Sequence, residues 1–138
     1  MTDAKPLSGG CLCGAVRYEI DGRPKGSVAH CHCSMCRRAA GSVAVTWFTV
    51  APEQFRLTAG AFTRYASSEK GVRGFCGACG SPISFSHADF PDELDVTVGT
   101  LDRPEDMPAS LHIWTASRLP WLHLDQHLPD RGDGSDPL

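Results

Sequence analysis

At 138 residues the chain has room for one domain with a core of its own, and 41% hydrophobic with 21% charged residues is ordinary for a soluble globular protein. No apolar run approaches the about 18 residues of a membrane span, so none is predicted. The formal net charge of −3 would fall further if the cysteines ligate metal as thiolates, which argues against nucleic acid as a partner, because non-specific affinity there comes mostly from cationic contacts to phosphate.

Residues 1–6 lack the apolar stretch of a signal peptide and read as a short lead, with nothing to direct export. The first cysteine pair, Cys11-Leu12-Cys13, is followed by an alternating strand in which Val16, Tyr18 and Ile20 share one face, closed by Asp21-Gly22-Arg23-Pro24. Val28-Ala29-His30 leads into the second cluster, Cys31-His32-Cys33-Ser34-Met35-Cys36. Residues 42–50 are β-branched and aromatic, the strongest strand signal in the chain. Pro52-Glu53-Gln54 reads as a turn or a single helical turn, followed by strands over residues 55–58, 62–65 and 72–75. The third cluster is Cys76-Gly77-Ala78-Cys79, and beyond it residues 82–85, 94–98 and 111–114 are further strands. No long window holds an apolar period of 3.6, so few or no long helices are expected. Fourteen glycines and ten prolines punctuate the chain as a many-stranded β fold requires. Residues 130–138 are polar and read as a fraying tail, leaving 7–129 as a single domain.

Seven cysteines, an odd number in clusters two or three residues apart, suit metal ligation in a reducing compartment better than a disulfide framework, which points to the cytoplasm. C-x-x-C presents two sulfurs from one tight turn, and C-x-C does so from a kinked strand end; zinc takes four such donors in a structural site and three in a catalytic one. The central cluster can present Cys31, Cys33 and Cys36 from one loop, leaving Cys11, Cys13, Cys76 and Cys79 as a complete four-thiolate set. Two other partitions compete. Cys33 and Cys36 could complete a four-thiolate site with either outer pair, or His30 or His32 could close the second site as a purely structural Cys3His centre.

The runs Gly9-Gly10-Cys11-Leu12-Cys13-Gly14, His30-Cys31-His32-Cys33-Ser34-Met35-Cys36-Arg37-Arg38 and Phe75-Cys76-Gly77-Ala78-Cys79-Gly80-Ser81 resemble the glutathione-dependent formaldehyde-activating enzyme family, which shares its domain with a centromere protein. Residues 112–121 are similar to the family as well. The resemblance implies a mainly β, Mss4-like antiparallel fold with zinc-binding knuckles. It implies a structural zinc on Cys11, Cys13, Cys76 and Cys79 and a catalytic zinc on Cys31, Cys33 and Cys36. It also implies a carbon–sulfur lyase that forms or cleaves a thiol–aldehyde adduct such as S-(hydroxymethyl)glutathione, with glutathione and a small aldehyde as partners.

Three thiolates on a zinc ion leave a net charge of −1, which disfavours ionising a bound water and suits capture of a further thiol. The second zinc is therefore expected to be the labile one. Arg37 and Arg38 are candidates to hold substrate carboxylates, Trp47 and Phe48 to wall a pocket, and His30, His32 and His112 to move protons; packing competes for each. The alternative function is a non-catalytic zinc protein whose second site is structural or a store.

Overall fold

The structure, a computed structural model, describes residues 6–134. These form ten strands and one α-helix in two sheets. The small sheet has the order β1 (Leu7–Gly10), β2 (Arg17–Ile20), β5 (Phe55–Ala59). The large sheet contains β3 (Lys25–Cys31), β4 (Val45–Val50), β6 (Thr63–Ala66), β7 (Gly71–Phe75), β8 (Pro82–His87), β9 (Leu94–Thr97) and β10 (Leu111–Ile113), in the order β10-β3-β4-β9-β8-β7-β6. Every pairing is antiparallel except β10 with β3.

The core follows from alternation. Val16, Tyr18 and Ile20 are fully buried against Phe48 and Val50 of β4, Ile83 of β8 and Val96 of β9, and Cys11 and Cys76 join the same cluster. Burial of each large apolar side chain stabilises the fold by about 1.5–3 kcal/mol. Tyr18 stacks on Phe55 and bonds through its hydroxyl to Thr100 Oγ1 at 2.8 Å, so its polar end is satisfied. Gly9 lies under that ring, and a Cβ there would run into the Tyr18 hydroxyl and the Thr100 carbonyl. β1 exists because this glycine lets the chain approach β2; its own residues carry little strand preference.

β4 is covered on both sides. Phe48 and Val50 face the main core, while Val45 and Trp47 face a second cluster with Cys31 and Cys36. The helix α1 (Ser34–Ala40) grows out of the central cysteine cluster, which sequence reading leaves as a bare loop. Cys33 is its N-cap, accepting at Sγ from the Cys36 N–H at 3.2 Å, and Gly41 ends it in the left-handed region at φ 63°, a conformation that suits glycine. Pro52–Gln54 forms the single helical turn expected of it.

Of the segments read as terminal, residues 1–5 and 135–138 lie outside the described part. Residues 130–134, grouped with the tail on composition, are instead hydrogen bonded. Arg131 N donates to the His112 carbonyl at 2.8 Å, Trp114 N to Asp133 and Thr115 N to Arg131, and Arg118 forms a fork to Asp130. Backbone pairing along β10 outweighs their polarity.

Candidate metal centre

Two chain reversals of similar build carry the outer cysteines. Cys11 N donates to Val16 O and Cys76 N to Ser81 O, and each turn ends in a glycine at φ 83°, Gly14 and Gly80. That left-handed conformation strains any other residue, which accounts for a glycine after each pair. Backbone N–H groups point at the sulfurs, as with Val16 N on Cys11 Sγ at 3.2 Å. The two reversals meet across 63 residues of sequence, with Cys11–Cys13 and Cys13–Cys76 sulfur separations of 3.6 and 3.8 Å. The Ser81 hydroxyl lies 3.3 Å from Cys79 Sγ, and Ser81, through that hydroxyl first and its N–H second, pulls the Cys79 thiol down to about 5. A low thiol pKa favours the thiolate that a metal needs.

The sulfurs of Cys31, Cys33 and Cys36 form the other group, with Cys31 and Cys36 3.5 Å apart; in each group all ligand atoms lie within 4.8 Å of one another. Cys33 is the acceptor of this trio. Its thiol is lowered by the neighbouring sulfurs, Cys31 first, and then by the N-cap backbone N–H groups, whereas Cys31 is raised. The sulfur spacings decide between two chemistries. A disulfide would bring the atoms to about 2.05 Å, whereas the edge of a tetrahedron built from metal–sulfur bonds of about 2.3 Å is about 3.8 Å. All seven thiols are free, and the observed 3.5–3.8 Å fits the tetrahedral edge. Both groups could therefore hold a metal ion. Among the described residues no fourth His, Cys, Asp or Glu atom joins the central trio within that distance.

The trio opens on a groove of about 770 Å³ on one face of the large sheet, a volume suited to a small organic ligand. Trp47, Phe85, Leu111 and Ile113 give it apolar walls, and Arg73, Asp95 and Thr49 reach into it. Sheet register explains the set, because Thr49 pairs with Asp95, Asp95 with Phe85 and Phe85 with Arg73, a single row across four strands. Trp47 thus lines the groove, and Phe48, one residue on, is in the core.

The other candidates from sequence fall elsewhere. His30, His32 and His112 are buried but do not line the groove. His30 bridges Thr46 Oγ1 and Asp125 Oδ2, both at 2.7 Å, and His32 Nε2 meets His112 Nδ1 at 2.8 Å. Burial first, then the Arg118 charge, lowers His32 to about 4, so it is neutral near pH 7. Together they anchor the 125 loop to β3 and β10. Neither Arg37 nor Arg38 lines the groove.

Asp95 is a site residue that sequence reading missed. Burial, offset in part by a 2.6 Å bond from Thr49 Oγ1, raises its carboxyl to about 6 from an ordinary value of 3.8. The folded state thus holds an extra proton between pH about 4 and 6, and stability declines as pH rises through that window. Asp95→Asn removes the cost, so it should gain on the order of 2 kcal/mol over the native chain at pH 7.5 and little at pH 4. Urea unfolding at the two pH values checks this, and an equal effect at both would show that the charge is not what is being removed.

A profile of the family described as "Glutathione-dependent formaldehyde-activating enzyme" matches residues 6–117. A protein of Halomonas elongata named "Putative glutathione-dependent formaldehyde-activating enzyme" is 25% identical over 136 residues, covering 91% of this chain and 85% of that protein. A crystal structure of a Rhodobacter sphaeroides protein has a TM-score of 0.58 to this chain at 22% identity, covering 89% of this chain and 98% of that one, which establishes a shared fold.

Proposed function

Because the chain belongs to the glutathione-dependent formaldehyde-activating enzyme family, we propose that it is a zinc-dependent carbon–sulfur lyase acting on a thiol–aldehyde adduct, with glutathione as the thiol and formaldehyde as the aldehyde. The observation that carries this reading is the three-sulfur group at a groove, with no fourth side-chain donor among the described residues. Cys31, Cys33 and Cys36 would hold the catalytic zinc, and Cys11, Cys13, Cys76 and Cys79 a structural one. A zinc held there would supply a soft position suited to a thiolate.

In the forward reaction the sulfur forms a bond to the carbonyl carbon, the carbonyl π electrons pass to oxygen, and the thiol proton ends on that oxygen; the reverse breaks the C–S bond. Trp47 and Phe85 limit water around the reacting pair, and confinement in the groove supplies proximity. Asp95, raised to about 6, can give and take a proton close to neutral pH. We further propose a single domain that begins near residue 7 and is carried past 129 by the hydrogen bonds of residues 130–134, and a cytoplasmic setting, where seven free thiols persist.

Proton NMR of glutathione and formaldehyde at equilibrium tests the reading. Zinc-loaded protein should speed exchange between free thiol and adduct at least tenfold over buffer, and Cys36→Ser should return it to the buffer rate. Exchange unchanged by protein with both sites loaded would favour a non-catalytic zinc protein.

A further inference from the structure

Arg73 is an unusual cation. Its Nη1 and Nη2 both lie 3.8 Å from Cys36 Sγ, its Nε donates to Ser67 Oγ at 3.1 Å, and its guanidinium carbon sits 4.9 Å over the Phe85 ring. Several arginines make no ion pair with a carboxylate among the described residues, unlike Arg17, Arg56, Arg103 and Arg118, and of these Arg73 is the one that lines the groove. The fork of a guanidinium ordinarily takes the two oxygens of a carboxylate. Here both N–H arms address one sulfur.

We propose that Arg73 is the positioning residue that lets the central trio accept an anionic fourth ligand. The proposal rests on Cys31, Cys33 and Cys36 acting as a metal donor set. Three thiolates and a dication sum to −1, and an anion in the fourth position would make −2 in a partly buried groove. Arg73 restores one unit of that charge at Cys36, on the groove side, where a fourth ligand must enter. It also withdraws electron density from that sulfur through two long hydrogen bonds, so the metal gives up less of its acidity to the protein. A positive charge about 6 Å from the incoming anion, at an effective dielectric of about 20, corresponds to on the order of 100-fold in its binding constant. A neutral ligand in the same position gains little from it. The consequence is a preference for thiolates and other small anions over neutral donors such as imidazole.

The test compares charge rather than size. Cobalt(II)-loaded native protein, Arg73→Met and Arg73→Lys are titrated with azide, imidazole and glutathione, and binding is read from the cobalt absorption bands. Arg73→Met should weaken azide and glutathione about 30- to 100-fold and imidazole less than 3-fold, while Arg73→Lys restores most of the azide affinity. A merely structural arginine, holding Phe85 and Ser67 in place, would move azide and imidazole together, and that result overturns the proposal, as does no change in either. Should glutathione fail on the native protein while azide binds and depends on Arg73, the thiol reading falls and the role of Arg73 stands. If Arg73→Met does not fold, Arg73→Gln, neutral but still able to bond Ser67, decides: it should lose the preference for azide over imidazole, and keeping that preference overturns the proposal.

Discussion

Cys76→Ser is expected to yield an unfolded protein. Cys76 is 1% exposed in the main core, and its sulfur joins two chain reversals that are otherwise held by short strands. Metal binding to such a set contributes roughly 10–16 kcal/mol in small peptides, as much as the whole net stability of an ordinary domain, about 5–15 kcal/mol. A serine there removes one of four thiolates and leaves a hydroxyl in an apolar cluster. Cys33→Ser should behave differently. Its centre is made within six residues, from the end of β3 to the first turn of α1, and serine is a better N-cap than cysteine for that helix, so the bond to Cys36 N survives. Far-UV circular dichroism and metal analysis of the two variants decide the matter, with Cys33→Ser folded and carrying one zinc. Equal loss of structure in both would end the division into a closed and an open centre.

Mild chelation should remove about one equivalent of metal before any loss of β-type circular dichroism. Exposure alone predicts the opposite order, since Cys13 of the four-sulfur group is exposed while Cys31 and Cys36 are buried. Donor number wins in our reading. A chelator can occupy the open position of a three-donor centre without first displacing a protein ligand, whereas extraction from four thiolates is coupled to unfolding. Metal released per protein, followed alongside ellipticity during an EDTA titration, is the measurement. Joint loss of both metals and of structure would contradict it.

Sequence reading recovered what alternation and cysteine spacing encode. The buried faces of β2, β4 and β9 follow from Val16, Tyr18 and Ile20, from the β-branched run to Val50, and from Val96. Of the partitions that the cysteine spacings left open, the sulfurs that lie together in space are those of Cys11, Cys13, Cys76 and Cys79 and those of Cys31, Cys33 and Cys36. Several features were hidden for physical reasons. α1 has seven residues, under two turns, too few to show a period. β1 depends on Gly9 beneath Tyr18, a tertiary contact. The groove was missed because alternation sets Thr49, Asp95 and Arg73 off from the apolar core face without saying what their own face meets. The start of α1 and the turns after β10 border that face and shape it into a groove. The parallel pairing of β10 with β3 is likewise set by the long return of the chain.

The two ends of the large sheet are finished in different ways. β10 is bordered by residues 129–131, whose bonds to His112 occupy part of its outer backbone. Among the described residues no strand pairs with the outer edge of β6, and Thr63, Arg64, Tyr65 and Ala66 are all exposed. A bare strand edge is a template for a strand of another molecule, and natural proteins blunt such edges by shortness and charge. β6 has both, being four residues long and carrying Arg64. β10 is shorter still, at three residues, but carries no Lys or Arg, and it is covered by the segment after Leu128. Shortening the chain at that point would uncover a second sheet edge, one without the charge that blunts β6, and leave the sheet unpaired at both ends.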